Sequence, residues 1–257
     1  MTNKAALALT GCLFLGLSVT ARAGGIVDET TEQTFAVGAN PTLTVRNTDG
    51  RVLVYGSAEN QIVVKTYKRT FSKERLGKID ASVSLVGDDM TIETKIPPAE
   101  RKLLADRSGT VEYTVLVPQH CAVRVDQSQG EMHFEGLLGP RVEGHQINGR
   151  INVRSCFAPT EITIEAGGID VVANWWEMSP FAMSLAVKRG DVTLALPPMA
   201  AVRLDLATQS GHIRNQLQKQ AATGGNVQQL NTVIGSASGA EIKVRVSNGN
   251  IRLRKAY

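Results

Sequence analysis

Along most of the chain, apolar residues alternate with polar ones, and a short polar turn ending in glycine interrupts the alternation at regular intervals. The clearest copy runs Val123-x-Val125, Gly130, Met132-x-Phe134. Leu43-x-Val45, Gly50, Val52-x-Val54 has the same offsets. Val142, Gly149, Ile151-x-Val153 follows it with Gly144 in place of an apolar residue, and Leu204-x-Leu206, Gly211, Ile213 has Asn215 at the last apolar position. Three further copies read as having turns two residues shorter. They are Ile162-x-Ile164, Gly167, Ile169-x-Val171; Leu185-x-Val187, Gly190, Val192-x-Leu194; and Val244-x-Val246, Gly249, Ile251-x-Leu253.

Alternation at period two is the mark of a strand with one buried face. Two such strands around each glycine make a strand-turn-strand unit, which alone has nothing to bury its apolar face against. Stacking units at a repeat of about 20 residues buries a continuous apolar column. The pattern therefore predicts an all-β, β-helix-like β-solenoid, with the seven glycines at turn positions of positive φ. The interval from Gly211 to Gly249 has room for two units, and Val233-Ile234-Gly235 is expected to supply the missing one. Residues 57–120 break the short period but still alternate, which predicts a longer-stranded N-terminal part joined by polar loops at 71–78 and 97–108. Residues 99–106 have the pattern of one or two helical turns, and no other segment argues for a helix.

The first residues read differently. Lys4 is followed by an apolar or small-residue run to Thr20, then Ala21-Arg22-Ala23 and Gly24-Gly25. This is the form of a secretory signal peptide over 1–23, and it is too short for a membrane span. Leu9-Thr10-Gly11-Cys12 also resembles a lipobox, which would instead place a lipid anchor on Cys12. Either processing route predicts an exported chain, periplasmic or at the cell surface, with one domain over 24–257 and no transmembrane helix after processing.

Composition then narrows the field. The 257 residues are 42% hydrophobic and 20% charged, enough apolar surface to exclude a disordered chain. The formal charge is +4, and loss of Lys4 and Arg22 with the leader leaves +2, too little to announce a nucleic-acid partner. Cys121 and Cys156 remain after processing. An exported chain allows them either to form a disulfide or to stay as two buried thiols.

The arrangement resembles the bacterial putative-adhesin family of exported β-solenoid domains. The likeness rests on the turns around Gly50, Gly130, Gly149, Gly211 and Gly249, the strand end Val115-Leu-Val-Pro118, Leu196-Pro197, and the closing Gly249-Asn-Ile-Arg-Leu253. It covers most of residues 40–255. It implies a surface-adhesion role and no shared catalytic residues. The Trp175-Trp176 loop and the cysteine pair depart from it.

Candidate chemistry is sparse. Asp49, Asp126, Glu143, Glu165, Asp170, Asp191 and Asp205 are scattered over turns and strand faces, as solvated acids are. No G-x-S-x-G, Walker loop or H-E-x-x-H motif occurs. His120, His133, His145 and His212 lie at different offsets from their glycines, so stacking would not align them as metal ligands. No catalytic residue, metal site or cofactor is therefore predicted. Trp175, Trp176 and Phe181 form the one aromatic cluster, which offers rings to a cell-envelope glycan or protein, with core capping as the competing role. Lys65, Lys68, Arg69, Lys73, Arg75 and Lys78 make a basic loop. Lys243, Arg245, Arg252 and Arg254 point outward from the last unit, where cations on a terminal strand would discourage edge pairing. A non-enzymatic adhesin or envelope interaction protein is the leading expectation. A polysaccharide-active enzyme on a β-helix scaffold would require a groove with convergent carboxylates, and a protein-binding envelope-stress or assembly component is the third possibility.

Overall fold

The computed structural model describes residues 13–21, 25–97, 108–177, 179–217, 228–236 and 239–256. The helix expected at 99–106 lies outside the described residues. The N-terminal part contains β1 (Leu13–Ala21), β2 (Val27–Ala36), β3 (Thr42–Ser57), β4 (Gln61–Thr70), the single helical turn α1 (Lys73–Leu76), β5 (Asp80–Val86), β6 (Asp89–Lys95) and β7 (Thr110–Pro118). There follow β8 (Ala122–Glu135), β9 (Val142–Arg154), β10 (Thr160–Val172), β11 (Ala182–Arg189), β12 (Val192–Leu196), β13 (Val202–Ser210), β14 (Ile213–Asn215), β15 (Gln229–Ile234), β16 (Glu241–Asn248) and β17 (Ile251–Lys255). All belong to one mixed sheet that does not close into a barrel.

The N-terminal strands pair antiparallel in the order β1, β2, β4, β7. β1 falls inside the segment that reads as a leader and lies along one edge of β2. From β3 onward the pairing turns parallel: β3 with β8, β8 with β9, and β9 with β10. β10 then pairs with β11 through its first half and with β12 through its second. One-turn α1 corrects the expected loop at 71–78; Ser72 caps it by accepting from the Arg75 N–H at 3.2 Å.

Each glycine corner solves a phase problem. Val123 and Val125 precede Gly130 at odd positions, and Met132 and Phe134 follow it at even ones. A straight strand would aim the two pairs at opposite faces. All four are buried in the same core. The chain must therefore rotate at the corner, and all seven expected glycines have φ between +117° and +153°. They also stack in register, Gly50 on Gly130, Gly130 on Gly149, and Gly149 on Gly167. A Cβ on Gly149 would run into the carbonyl oxygen of Gly130, and one on Gly167 into that of Gly149.

Three sequence expectations are corrected. The later turns are not shorter. Ile164 is in register with Gln146, and Gln146 with Gln127, so every unit has the same length. What changes is the residue three before the glycine: an amide at Asn47, Gln127 and Gln146, an aliphatic at Ile164, Val187 and Val246. The amide is buried and bridges units, with Gln127 Nε2 donating to the Gly50 carbonyl at 2.7 Å and Gln146 Nε2 to that of Gly130 at 2.8 Å. Residues around Val233 supply no unit. They form β15, antiparallel to β13. Finally, the last unit in sequence is not last in space: β16 pairs with β11 on one side and β13 on the other, and β17 lies between β12 and β14. Its cations therefore protect no terminal edge. Instead, Arg245 pairs with Asp205 of β13, and Arg252 with Asp191 at 3.1 Å.

Gly149→Ala should cost more than about 3 kcal/mol, since it adds a backbone collision to an unfavourable φ. Gly87→Ala, at φ +62° with open space around it, should cost only about 1 kcal/mol. Urea midpoints of the two variants against the parent measure both.

Candidate functional site

Outward side chains at one register position form a column across the parallel strands: Glu93, Arg46, Asp126, His145, Thr163, Ala186 and Arg245. They come from seven neighbouring strands, β6, β3, β8, β9, β10, β11 and β16. The column lines a groove of about 810 Å³, which also takes in Asn47, Gln127, Gln146, exposed Ile147, Glu165 and Lys188. At ~4.8 Å per strand, seven strands extend the groove over roughly 29 Å.

The groove is lined mostly by polar residues, and its charges are largely paired. Lys188 holds Glu165 at 2.8 Å, Arg124 holds Asp126 at 3.0 Å, and the His145 Nδ1 lies 2.7 Å from the Thr163 hydroxyl. Arg46 has no ion-pair partner among the described residues. Its floor has a row of amides whose nitrogens are committed to corner carbonyls, while the oxygens of Asn47, Gln127 and Gln146 are buried and accept nothing among the described residues. A general acid needs a carboxyl whose proton is retained near neutral pH. Glu165 runs the other way: its hydrogen bond and charge contact with Lys188 lower its pKa. The acids that line the groove each have a cation beside them: Glu93 has Lys95 at 3.4 Å, Asp126 has Arg124 and Glu165 has Lys188.

The sequence-predicted aromatic cluster forms, but it faces inward. Trp176 and Phe181 are buried, at 9% and 5% exposure, with ring centroids 5.5 Å apart. Phe157 joins them at 5.8 Å from Trp176 and 5.6 Å from Phe181. Trp175 stacks on Phe157 at 4.4 Å and keeps 42% of its surface open. Of the three candidates, only Trp175 presents a ring to a ligand.

Cys121 and Cys156 do not form the candidate disulfide. Both are free and buried. The segment 137–138 is hydrogen-bonded to Gln119 on one side and to Phe157 on the other. Burial pushes both thiols up to about 12, and the Tyr113 hydroxyl, which bonds Thr94 at 2.7 Å, also to about 12.

The histidines stay apart: His133 lies 2.9 Å from Glu135, His145 lines the groove, and His212 sits near β14. The basic loop is partly neutralised, with Lys68 on Glu29 at 3.1 Å and Lys78 on Glu74 at 2.6 Å. Arg75 is buried and donates to the carbonyls of Ser108 and Pro97. The groove itself escaped sequence reading because its residues are spread along the chain from Arg46 to Arg245. Their shared offset from the glycines was the available signal: Arg46, Asp126, His145, Thr163, Ala186 and Arg245 each lie four residues before one.

Compared with known proteins, the chain matches no family model and no curated protein. Among solved structures it is similar to a putative cell adhesion protein from Clostridium sporogenes, with 14% identity and a TM-score of 0.50 over 88% of this chain and 99% of that one. It is more distantly similar to a putative adhesin from Bacteroides fragilis, with 8% identity and a TM-score of 0.23 over 87% and 96% of the two chains. A putative lipid binding protein from Parabacteroides distasonis stands at 8% identity and a TM-score of 0.25, over 88% and 97%. The first likeness gives the chain a putative-adhesin-like all-β fold. No helix among the described residues is long and apolar enough to cross a membrane.

The buried hydroxyl and thiols are neutral in the folded chain and ionise at ordinary values, about 8.5 for Cys and 10 for Tyr, once unfolded. Their contribution to stability is therefore intact below about pH 8.5 and is lost as pH rises towards 12. Native protein should give no reaction with a thiol reagent at pH 8, and denaturation should release Cys121 and Cys156 (with Cys12 as well where the leader is retained). Fast labelling of the native chain would contradict the buried assignment.

Proposed function

We propose that this chain is an exported, non-enzymatic binding protein of the cell envelope, a β-solenoid that holds an extended polymer along the groove. The groove carries this reading: seven parallel strands set side chains, polar at every position but Ala186, at ~4.8 Å intervals on a rigid backbone. An extended glycan or peptide would gain many weak contacts in series along such a surface, rather than one deep pocket. Arg46 and the exposed Ile147 offer a donor and an apolar contact near the groove floor, and Trp175 supplies a second, separate point of attachment. The similar Clostridium sporogenes structure, named a putative cell adhesion protein, agrees with a binding role.

Binding of the purified chain to arrayed envelope glycans and peptides tests this. Arg46→Ala with Ile147→Ser should weaken the bound polymer about tenfold, about 1.4 kcal/mol, with unchanged thermal stability. Trp175→Ala should weaken it less. Groove variants that bind as tightly as the parent would overturn the assignment.

Export proceeds in this reading through the leader 1–23. Its cleavage removes β1 and opens the edge of β2. The intact mass of protein recovered from the envelope should correspond to a chain beginning at Gly24. A lipid-modified Cys12 as first residue would instead identify the lipoprotein route.

A further inference from the structure

The outward faces of the second strands carry a different charge pattern from the groove. Three cations there meet acids of neighbouring units. Arg51 pairs with Glu112 of β7 at 2.6 Å, Arg150 with Asp170 of β10 at 3.6 Å, and Arg252 with Asp191 at 3.1 Å. Asn152 of β9 likewise donates to Glu131 of β8 at 2.7 Å. This pairing keeps in-register stacking from placing like charges together.

The alternation fails at the last step. Arg214 of β14 is in direct register with Arg252 of β17, one strand spacing away. Arg214 has no ion-pair partner among the described residues, and the carboxylate of Asp191 is already committed. One of its oxygens takes the Asn250 backbone N–H at 2.8 Å and side-chain amide at 3.2 Å, and the other takes Arg252. Asn250 is held in turn, because its Oδ1 accepts from the His212 backbone N–H at 3.0 Å. These contacts fix the floor of a small cavity of about 150 Å³, lined by His212, Arg214, Asn250 and Arg252.

The inventory of free groups is one-sided. Two guanidiniums present N–H donors and no acceptor, the imidazole adds another donor when it carries a proton on the exposed nitrogen, and the Asn250 oxygen is occupied. Arginines on adjacent strands in direct register can both donate to the oxygens of one tetrahedral oxyanion, and a ligand of that charge would relieve the repulsion the fold leaves between them. We propose that the cavity between β14 and β17 is an anion site for a phosphate group, supplied free or as a phospholipid headgroup. It is lined by residues that follow the corner glycines, where the polymer groove is lined mostly by residues that precede them, and it does not depend on that reading.

The test is thermal denaturation of the full chain in inorganic phosphate against chloride at matched ionic strength, with phosphatidylglycerol and phosphatidylcholine vesicles as a second arm. Phosphate should raise the melting temperature of the parent and of Lys255→Gln, which removes an exposed cation outside the cavity. Arg214→Gln should abolish the rise without lowering the melting temperature in chloride. Retention of phosphatidylglycerol vesicles that is lost in Arg214→Gln and kept in Lys255→Gln identifies a headgroup as the source. A phosphate response without vesicle binding identifies the free anion. No phosphate response in the parent, or equal loss in both variants, overturns the site.

Discussion

Backbone meeting backbone at the glycine corners is the constraint on which the architecture depends. At each corner the chain must rotate so that residues on both sides of the turn face one core, and at the same place neighbouring units come close enough that a Cβ would strike a carbonyl oxygen. Both demands fall on the same residue, and glycine alone meets both cheaply. The close approach also lets a side-chain amide cross between units, as Gln127 and Gln146 do. The rigid spacing of everything outside the core, including the groove, follows from this contact.

In-register parallel stacking also explains why the repeat is so uneven. Equivalent positions lie directly over one another, so identical inward apolar residues reinforce the core. Identical outward charges would repel. Selection for the fold therefore keeps glycine and the apolar pairs while forcing the outward positions to differ. Arg51, Glu131 and Arg150, which alternate in sign at one register position, are the result.

That asymmetry set what could be read from the amino acids. The all-β class and the corner glycines were legible, because the core and the corner impose the same residue type on every unit. The order of the units was not, since hydrophobic alternation does not say which neighbour a strand chooses, and β16 looks like any other edge candidate. The amide three before the glycine hid the common unit length, because Gln127 and Gln146 read as turn residues while Ile164 reads as strand. Trp176 was ambiguous for a different reason: a ring beside a loop serves a ligand or the core equally well until its neighbours, Phe157 and Phe181, are placed. The groove and the cavity near Arg214 depend on long-range register and have no local signature.

The placement of β16 and β17 has a consequence for how the chain is made. Strands β13 and β14 precede them in synthesis but lie beyond them in space. Until residues 241–255 emerge, the sheet has a gap one strand wide, bounded by the unpaired edges of β11–β12 and β13–β14. Residues 241–255 are thus a keystone: strands made after β13 and β14 are the ones that join them to β11 and β12.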